Sequence, residues 1–232
     1  MKKRKYRRFD IRHKETLMLF LKEYFELFFP DLADKIDFET ARSLDKELIA
    51  LFEEPGKELN KKDQQRITDA LILIEIMIDG KPEQILIYWE QQSEKEKKFE
   101  KRIFHCFCGI YFKFRKKILP IAMFTDPAKW RKPVKKKYKM SLFQHQVAEF
   151  SYFLIKLKNY KAEEFEKKAE QNPLAAAYLP LTDYPKQARP EIKAKALNRV
   201  AGLDQGPKRS VLISLIEQSI RLTDEEETRF SI

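Results

Sequence analysis

The stretch RITDALILIEIMIDGKPEQILIYWEQQ, residues 66–92, decides the fold. Two apolar, β-branched runs, Arg66 to Ile78 and Gln84 to Gln92, flank Asp79-Gly80, and an Asp-Gly pair between such runs is the strongest short-range cue for a β-hairpin. Alternation sets Ile72, Ile74, Ile76 and Ile78 on one face with Ile85, Ile87 and Trp89, and sets Leu71, Leu73, Leu86 and Tyr88 on the other. Both faces are apolar, so the strands should be covered on both sides, as in a sheet sandwiched by helices.

Downstream, Ser93-Glu94-Lys95-Glu96 has the form of a capping box. Phe99, Ile103, Cys106, Phe107, Ile110 and Phe114 then make the inner stripe of a helix that ends in Lys113, Arg115, Lys116 and Lys117. Ile118 to Thr125 is a short apolar run stopped by Asp126-Pro127, so strand, helix and strand form a right-handed crossover that adds a parallel neighbour to the hairpin. Lys129 to Lys139 holds seven basic residues around Trp130 and Tyr138, and a strand is expected at Val147 to Leu157. Helices follow at Glu163 to Gln171, Pro190 to Val200 and Pro207 to Leu222, before an acidic tail.

Upstream, Lys14 to Phe29 repeats apolar residues at helical spacing until Pro30. Leu44 to Phe52 reads equally as strand or helix, and Glu53 to Asp63, with Pro55 and Gly56, reads as a loop. The expected architecture is an α/β core over residues 1–160, a mixed sheet flanked by helices, with a helical C-terminal extension over residues 161–232.

Composition narrows the partners. Lysine and arginine number 47 against 36 aspartates and glutamates, a formal charge of +11, so the field around the molecule attracts polyanions, nucleic acid first and acidic membrane surfaces second. Thr16 to Phe29 is interrupted by Lys22, Glu23 and Glu26, too short and too charged for a bilayer span or a signal-peptide core. Only five glycines among 36% charged residues argue against a glycine-built barrel and for solvated helix faces. Cys106 and Cys108 are too close to staple the chain, and no second pair completes a zinc site. A cytoplasmic location with no membrane partner is expected. A homodimer is one option for its assembly.

Chemistry concentrates at the ends of the two strands. If Asp79-Gly80 is a two-residue turn, Asp69 falls directly opposite Glu90, with β-carbons about 5 Å apart. Two carboxylates so close require a cation between them or a proton on one. Gln92 shares the face of Glu90 and is diagonal to Asp69; with a four-residue loop, Asp69 faces Gln92 and Glu90 becomes the diagonal neighbour. Oxygen-only ligands favour Mg2+ or Mn2+, which keep waters and take up substrate phosphate, so the pattern suits phosphodiester hydrolysis. Gln92 can position a water or a phosphate oxygen, but it cannot ionise and is a poor general base. On spacing alone, Asp69 and Glu90 read equally well as solvated residues at strand ends, and the basic stretch as a solvated loop. His13, His105 and His145 lack ligand-like spacing.

Taken in order, Asp10 with Lys14-Glu15, Phe28-Phe29-Pro30, Leu44-Asp45-Lys46-Glu47-Leu48, Arg66 with Asp69, Glu90-Gln91-Gln92-Ser93, Arg102 and Phe124-Thr125-Asp126 carry a resemblance. Between Phe9 and Leu222 the sequence resembles the Rpn recombination-promoting nucleases, also described as transposases, a branch of the PD-(D/E)XK nuclease superfamily. The resemblance implies a restriction-endonuclease-like core and a Mg2+-dependent deoxyribonuclease associated with recombination or mobile elements. It implies Asp69, Glu90 and Gln92 as the catalytic group, with the metal on Asp69 and Glu90 and with Gln92 in place of the superfamily's usual lysine. Asp10, Glu15 or Glu47 would complete the acidic set. Arg66, Arg102, Lys129, Arg131, Lys132, Lys135, Lys136 and Lys137 are the expected contacts to DNA. Two departures stand out: Cys106 replaces a usual tyrosine, and the segment after Asp69 lacks a lysine many relatives carry, which implies a slow enzyme. The alternative is a catalytically inactive DNA-binding or partner-binding remnant of a mobile element, and a ribonuclease is a third reading.

Overall fold

A computed structural model of the chain describes residues 16–45 and 70–230. The expected site residues Asp10, Glu15, Glu47, Arg66 and Asp69 lie outside the described residues, as do the loop at Glu53 to Asp63 and most of Leu44 to Phe52. Among the described residues, the strands are β1 (Ile36–Ser43), β2 (Ala70–Ile78), β3 (Lys81–Gln92), β4 (Ile118–Phe124), β5 (Lys137–Leu142), β6 (His145–Ser151) and β7 (Phe153–Lys156). The helices are α1 (Leu21–Phe28), α2 (Pro30–Ala33), α3 (Phe99–Phe114), α4 (Ala162–Lys168), α5 (Pro173–Tyr178), α6 (Arg189–Ala201), α7 (Pro207–Ser219) and α8 (Asp224–Phe230).

Asp79 and Gly80 both take positive φ, 51° and 76°, the backbone whose twist matches a two-residue hairpin turn. Because the turn closes at once, β3 begins at Lys81, earlier than the apolar run suggests, and pairs with β2 in unbroken register from Ile78↔Lys81 to Ala70↔Trp89. On its other side β3 runs parallel to β4, from Leu86↔Ile118 to Gln92↔Phe124. The sheet order is β1-β2-β3-β4-β7, with β1 antiparallel to β2, so β3 is the central strand of a mixed sheet.

The described residues form two compact units. One comprises Lys35–Phe124 and Trp130–Ile155 and holds the sheet, α3 and the β5–β6 ribbon. Its core sets Leu71, Leu86 and Tyr88 of the hairpin against Phe99, Ile103, Cys106 and Ile110 of α3, closed by Ala122, Phe124, Phe150 and Tyr152. Burying each large apolar side chain of that set stabilises the unit by roughly 1.5–3 kcal/mol.

Two expectations need correction here. Ser93 does not cap α3: the helix starts at Phe99 behind Lys98, which takes a left-handed φ of 60°, and no side chain caps it. The reason lies in packing, since Phe99 meets Phe124 edge-on at 4.9 Å, and Glu96, the other half of the supposed box, pairs with Arg102 instead. The single strand expected at Val147 to Leu157 is two, broken at Tyr152, because β6 pairs with β5 in its own ribbon while β7 joins the main sheet. Tyr152 turns inward at the break, near the Phe99 ring, and donates to the Lys135 carbonyl.

The other unit comprises, among the described residues, 16–34, Thr125–Lys129 and 156–230. Leu17, Phe20, Leu21, Tyr24 and Phe25 are buried in it, as the helical spacing predicts. The Tyr24 and Tyr178 hydroxyls share a buried hydrogen bond, and burial pushes both phenols above their ordinary range. Helix α7 falls within its expected span, α4 starts one residue before its span and α6 runs one residue past each end of its own; α5 was not anticipated, and the acidic tail folds as α8. Asn172 caps α5, its side chain accepting from the backbone N–H groups of Leu174 and Ala175 at 3.0 and 3.3 Å. Among the described residues no helix is long and apolar enough to cross a membrane.

Candidate active site

The carboxyl end of β3 gathers the polar groups. Period-two alternation sets Tyr88, Glu90 and Gln92 on the face that meets α3, and Arg102 sits in the first turns of that helix. Glu90 is fully buried. One of its oxygens, Oε2, accepts from the Tyr88 hydroxyl; the other, Oε1, accepts from Gln92 Nε2 at 2.7 Å and from Arg102 Nη2. Arg102 Nε lies 3.0 Å from Glu96, and its guanidinium covers the Phe99 ring at 5.2 Å.

This arrangement answers an energetic demand. An ionised carboxylate taken out of water costs several kcal/mol unless it is paired and its lone pairs are used. Here a guanidinium supplies the charge, and an amide and a phenol supply further donors. The ends of parallel strands in open α/β sheets are also where ligand crevices form, so the group stands where the topology favours chemistry.

Of the sequence-expected residues, Glu90, Gln92 and Arg102 are brought together. Lys129 belongs to the helical unit, where its ammonium lies 2.8 Å from Asp183. Arg131, Lys132, Lys135, Lys136 and Lys137 are exposed in the sheet unit, and Lys95 pins this stretch by donating to the Lys132 carbonyl. Lys137 and Lys139 lie 2.6 and 3.0 Å from Glu149 and hold its carboxyl down to about 2. Two members of the cluster were missed: Tyr88, read as core, and Glu96, read as a cap. The signal for Tyr88 was present, since it lies two residues before Glu90 on the same strand face.

Among the described residues no group of three or more His, Cys, Asp or Glu side chains comes together to hold a metal ion. Of the two expected metal ligands they include one, Glu90, and an ion on Glu90 Oε1 would compete with Gln92 and Arg102, which donate to it. Comparison of the chain with models of protein families, with curated proteins and with solved structures finds no match.

Proposed function

We propose that this chain is a slow, Mg2+- or Mn2+-dependent DNA nuclease of the PD-(D/E)XK type, akin to the Rpn recombination-promoting nucleases. The observation that supports it most is the hydrogen-bonded Glu90–Gln92 pair at the carboxyl end of the central strand, with Glu90 fully buried and Gln92 half-buried. The expectation that Asp69 opposes Glu90 also requires the register Ala70↔Trp89, which is the register of the hairpin.

In this reading Asp69 and Glu90 would hold the ion, which supplies a polarised phosphoryl oxygen and a water of lowered pKa when bound. Gln92 orients the water or a phosphate oxygen through its amide, which neither gives up nor accepts a proton. Tyr88 and Arg102 keep the Glu90 carboxylate from rotating, so that its geometry is set before substrate arrives. The basic stretch from Arg131 to Lys137 grips the phosphate backbone.

One observation favours a second reading. Three donors already use Glu90, and Arg102 already supplies it with a positive charge, as in a binding protein that has lost its metal chemistry. Incubating the full chain with supercoiled plasmid in Mg2+, Mn2+ or EDTA separates the two. Nicking that needs metal and vanishes in Asp69→Ala and Glu90→Ala supports the nuclease. Salt-sensitive binding with equal, background nicking by all three proteins supports the remnant and overturns the enzyme.

A further inference from the structure

The β5–β6 ribbon is apolar in a part that stays exposed to solvent. At its base Tyr138 pairs with Phe150, and both dock on α3, Tyr138 stacking on Phe104 at 4.6 Å and Phe150 meeting Phe107 at 4.8 Å. Toward the turn the docking stops but the apolar residues continue. Met140 and Leu142 follow Tyr138 at period two and are 44% and 61% exposed; Val147, at the irregularity of the ribbon, is 53% exposed, and Phe143 at the turn is 92% exposed. Solvent-facing Leu and Phe side by side at a hairpin tip gain nothing from folding.

The backbone at the tip is unusual too. Leu142 pairs with His145, so Phe143-Gln144 is a two-residue connection, and Phe143 takes a φ of 53° where such turns favour glycine. A bulky side chain in that region is a strained choice. At 92% exposure it contributes nothing to the core, so packing within the fold does not explain it.

Charge indicates which ligand. Between Trp130 and Ile155 the basic residues are Arg131, Lys132, Lys135, Lys136, Lys137 and Lys139, and Glu149 is the one acidic residue, itself bridged by Lys137 and Lys139. A two-stranded ribbon fits a DNA groove, and proteins that bend DNA insert apolar side chains between base steps while cations hold the backbone. We infer that the β5–β6 tip is a DNA wedge: Phe143, backed by Leu142, Met140 and Val147, enters between stacked base pairs of duplex DNA, and Arg131, Lys132, Lys135 and Lys136, which precede the base of the ribbon at Lys137, neutralise phosphates farther along the same duplex. The inference rests on the DNA-binding half of the proposed function and not on cleavage.

The test uses the full chain in EDTA, with a duplex carrying 2-aminopurine as a reporter of unstacking, so nicking plays no part. Wild type raises the fluorescence on binding. Phe143→Ala removes most of that rise and weakens affinity about tenfold, with the wild-type salt dependence retained. Phe143→Gly does the same while melting no lower than wild type, because the position is exposed and its backbone suits glycine. If wild type binds duplex and both variants match it in affinity and fluorescence, the wedge is wrong and DNA binding stands. If wild type binds no duplex at low salt, wedge and DNA reading fall together. Loss of Phe143→Ala binding to phosphatidylserine vesicles with an unchanged DNA signal would assign the tip to lipid, and a dimer that needs Phe143 would assign it to a second copy; either result overturns the inference.

Discussion

At the scale of single residues, Glu90 is a fully buried carboxylate, and what holds it follows from its neighbours. Glu90→Gln keeps the shape and removes the charge that Arg102 answers. Fully buried pairs lose about 3–5 kcal/mol when one partner is removed, but Arg102 is 34% exposed and keeps Glu96, so the loss should be smaller, about 1–2 kcal/mol in urea denaturation. Metal-dependent nicking by the same variant should fall to background. A variant that keeps wild-type nicking would remove Glu90 from the chemistry. Asp183 provides the pH prediction. Lys129 and Lys161 hydrogen-bond its carboxyl and hold it at about 2, below the ordinary aspartate value near 3.9. The unfolded chain therefore binds the proton first, and the stabilisation from this group is complete above about pH 4 and lost as pH falls toward 2. Melting temperatures across that range should drop less steeply for Asp183→Asn than for wild type, with the variant the less stable of the two at pH 7. Parallel curves would assign the acid limb to other carboxylates.

At the scale of elements, the hairpin turn sets the register on which the candidate site depends. Gly80 has a φ of 76° and an added Cβ would meet nothing within 4 Å, so the cost of Gly80→Ala is backbone strain alone, about 1 kcal/mol. Gly80→Asn should cost less, because asparagine tolerates this region, and the order of the two urea midpoints checks it. The turn and both strands were legible because Asp79-Gly80 and the period-two isoleucines are local signals. Glu90 and Gln92 were legible together for the same reason, two residues apart on one face. The parts that stayed hidden are set by distant partners. Strand β1, IDFETARS, alternates apolar and charged residues only through Ile36 and Phe38 before Thr40, Arg42 and Ser43 end the pattern, and of its residues only Ile36 is buried. Strand β5 is masked by lysines that interrupt Tyr138, Met140 and Leu142. The run from Val147 to Leu157 is continuous in type, and only pairing with β5 divides it at Tyr152. Arg102 was assigned to phosphate because its charge is visible in sequence while its partner, twelve residues earlier on a strand, is not.

At the scale of the whole molecule, the charge of +11 is not all available to a polyanion. Lys129 is held by Asp183, and Lys137 and Lys139 by Glu149, whereas Arg131, Lys132, Lys135 and Lys136 are exposed on the same stretch. Each phosphate neutralised releases condensed counterions and steepens the fall of log K with log salt by about 0.9. Four such contacts correspond to a slope near −3.6, a loss of roughly a hundredfold between 50 and 200 mM salt. Replacing Lys135 and Lys136 together with glutamine should therefore flatten the slope by about 2, measured by fluorescence anisotropy of a labelled duplex in EDTA. Replacing Lys129 and Lys137 together should flatten it by less than about 1, because each of these ammoniums is already matched by a carboxylate. Equal changes in the two double variants would mean that bulk charge governs binding, and that the exposed lysines do not form a defined track for the phosphate backbone.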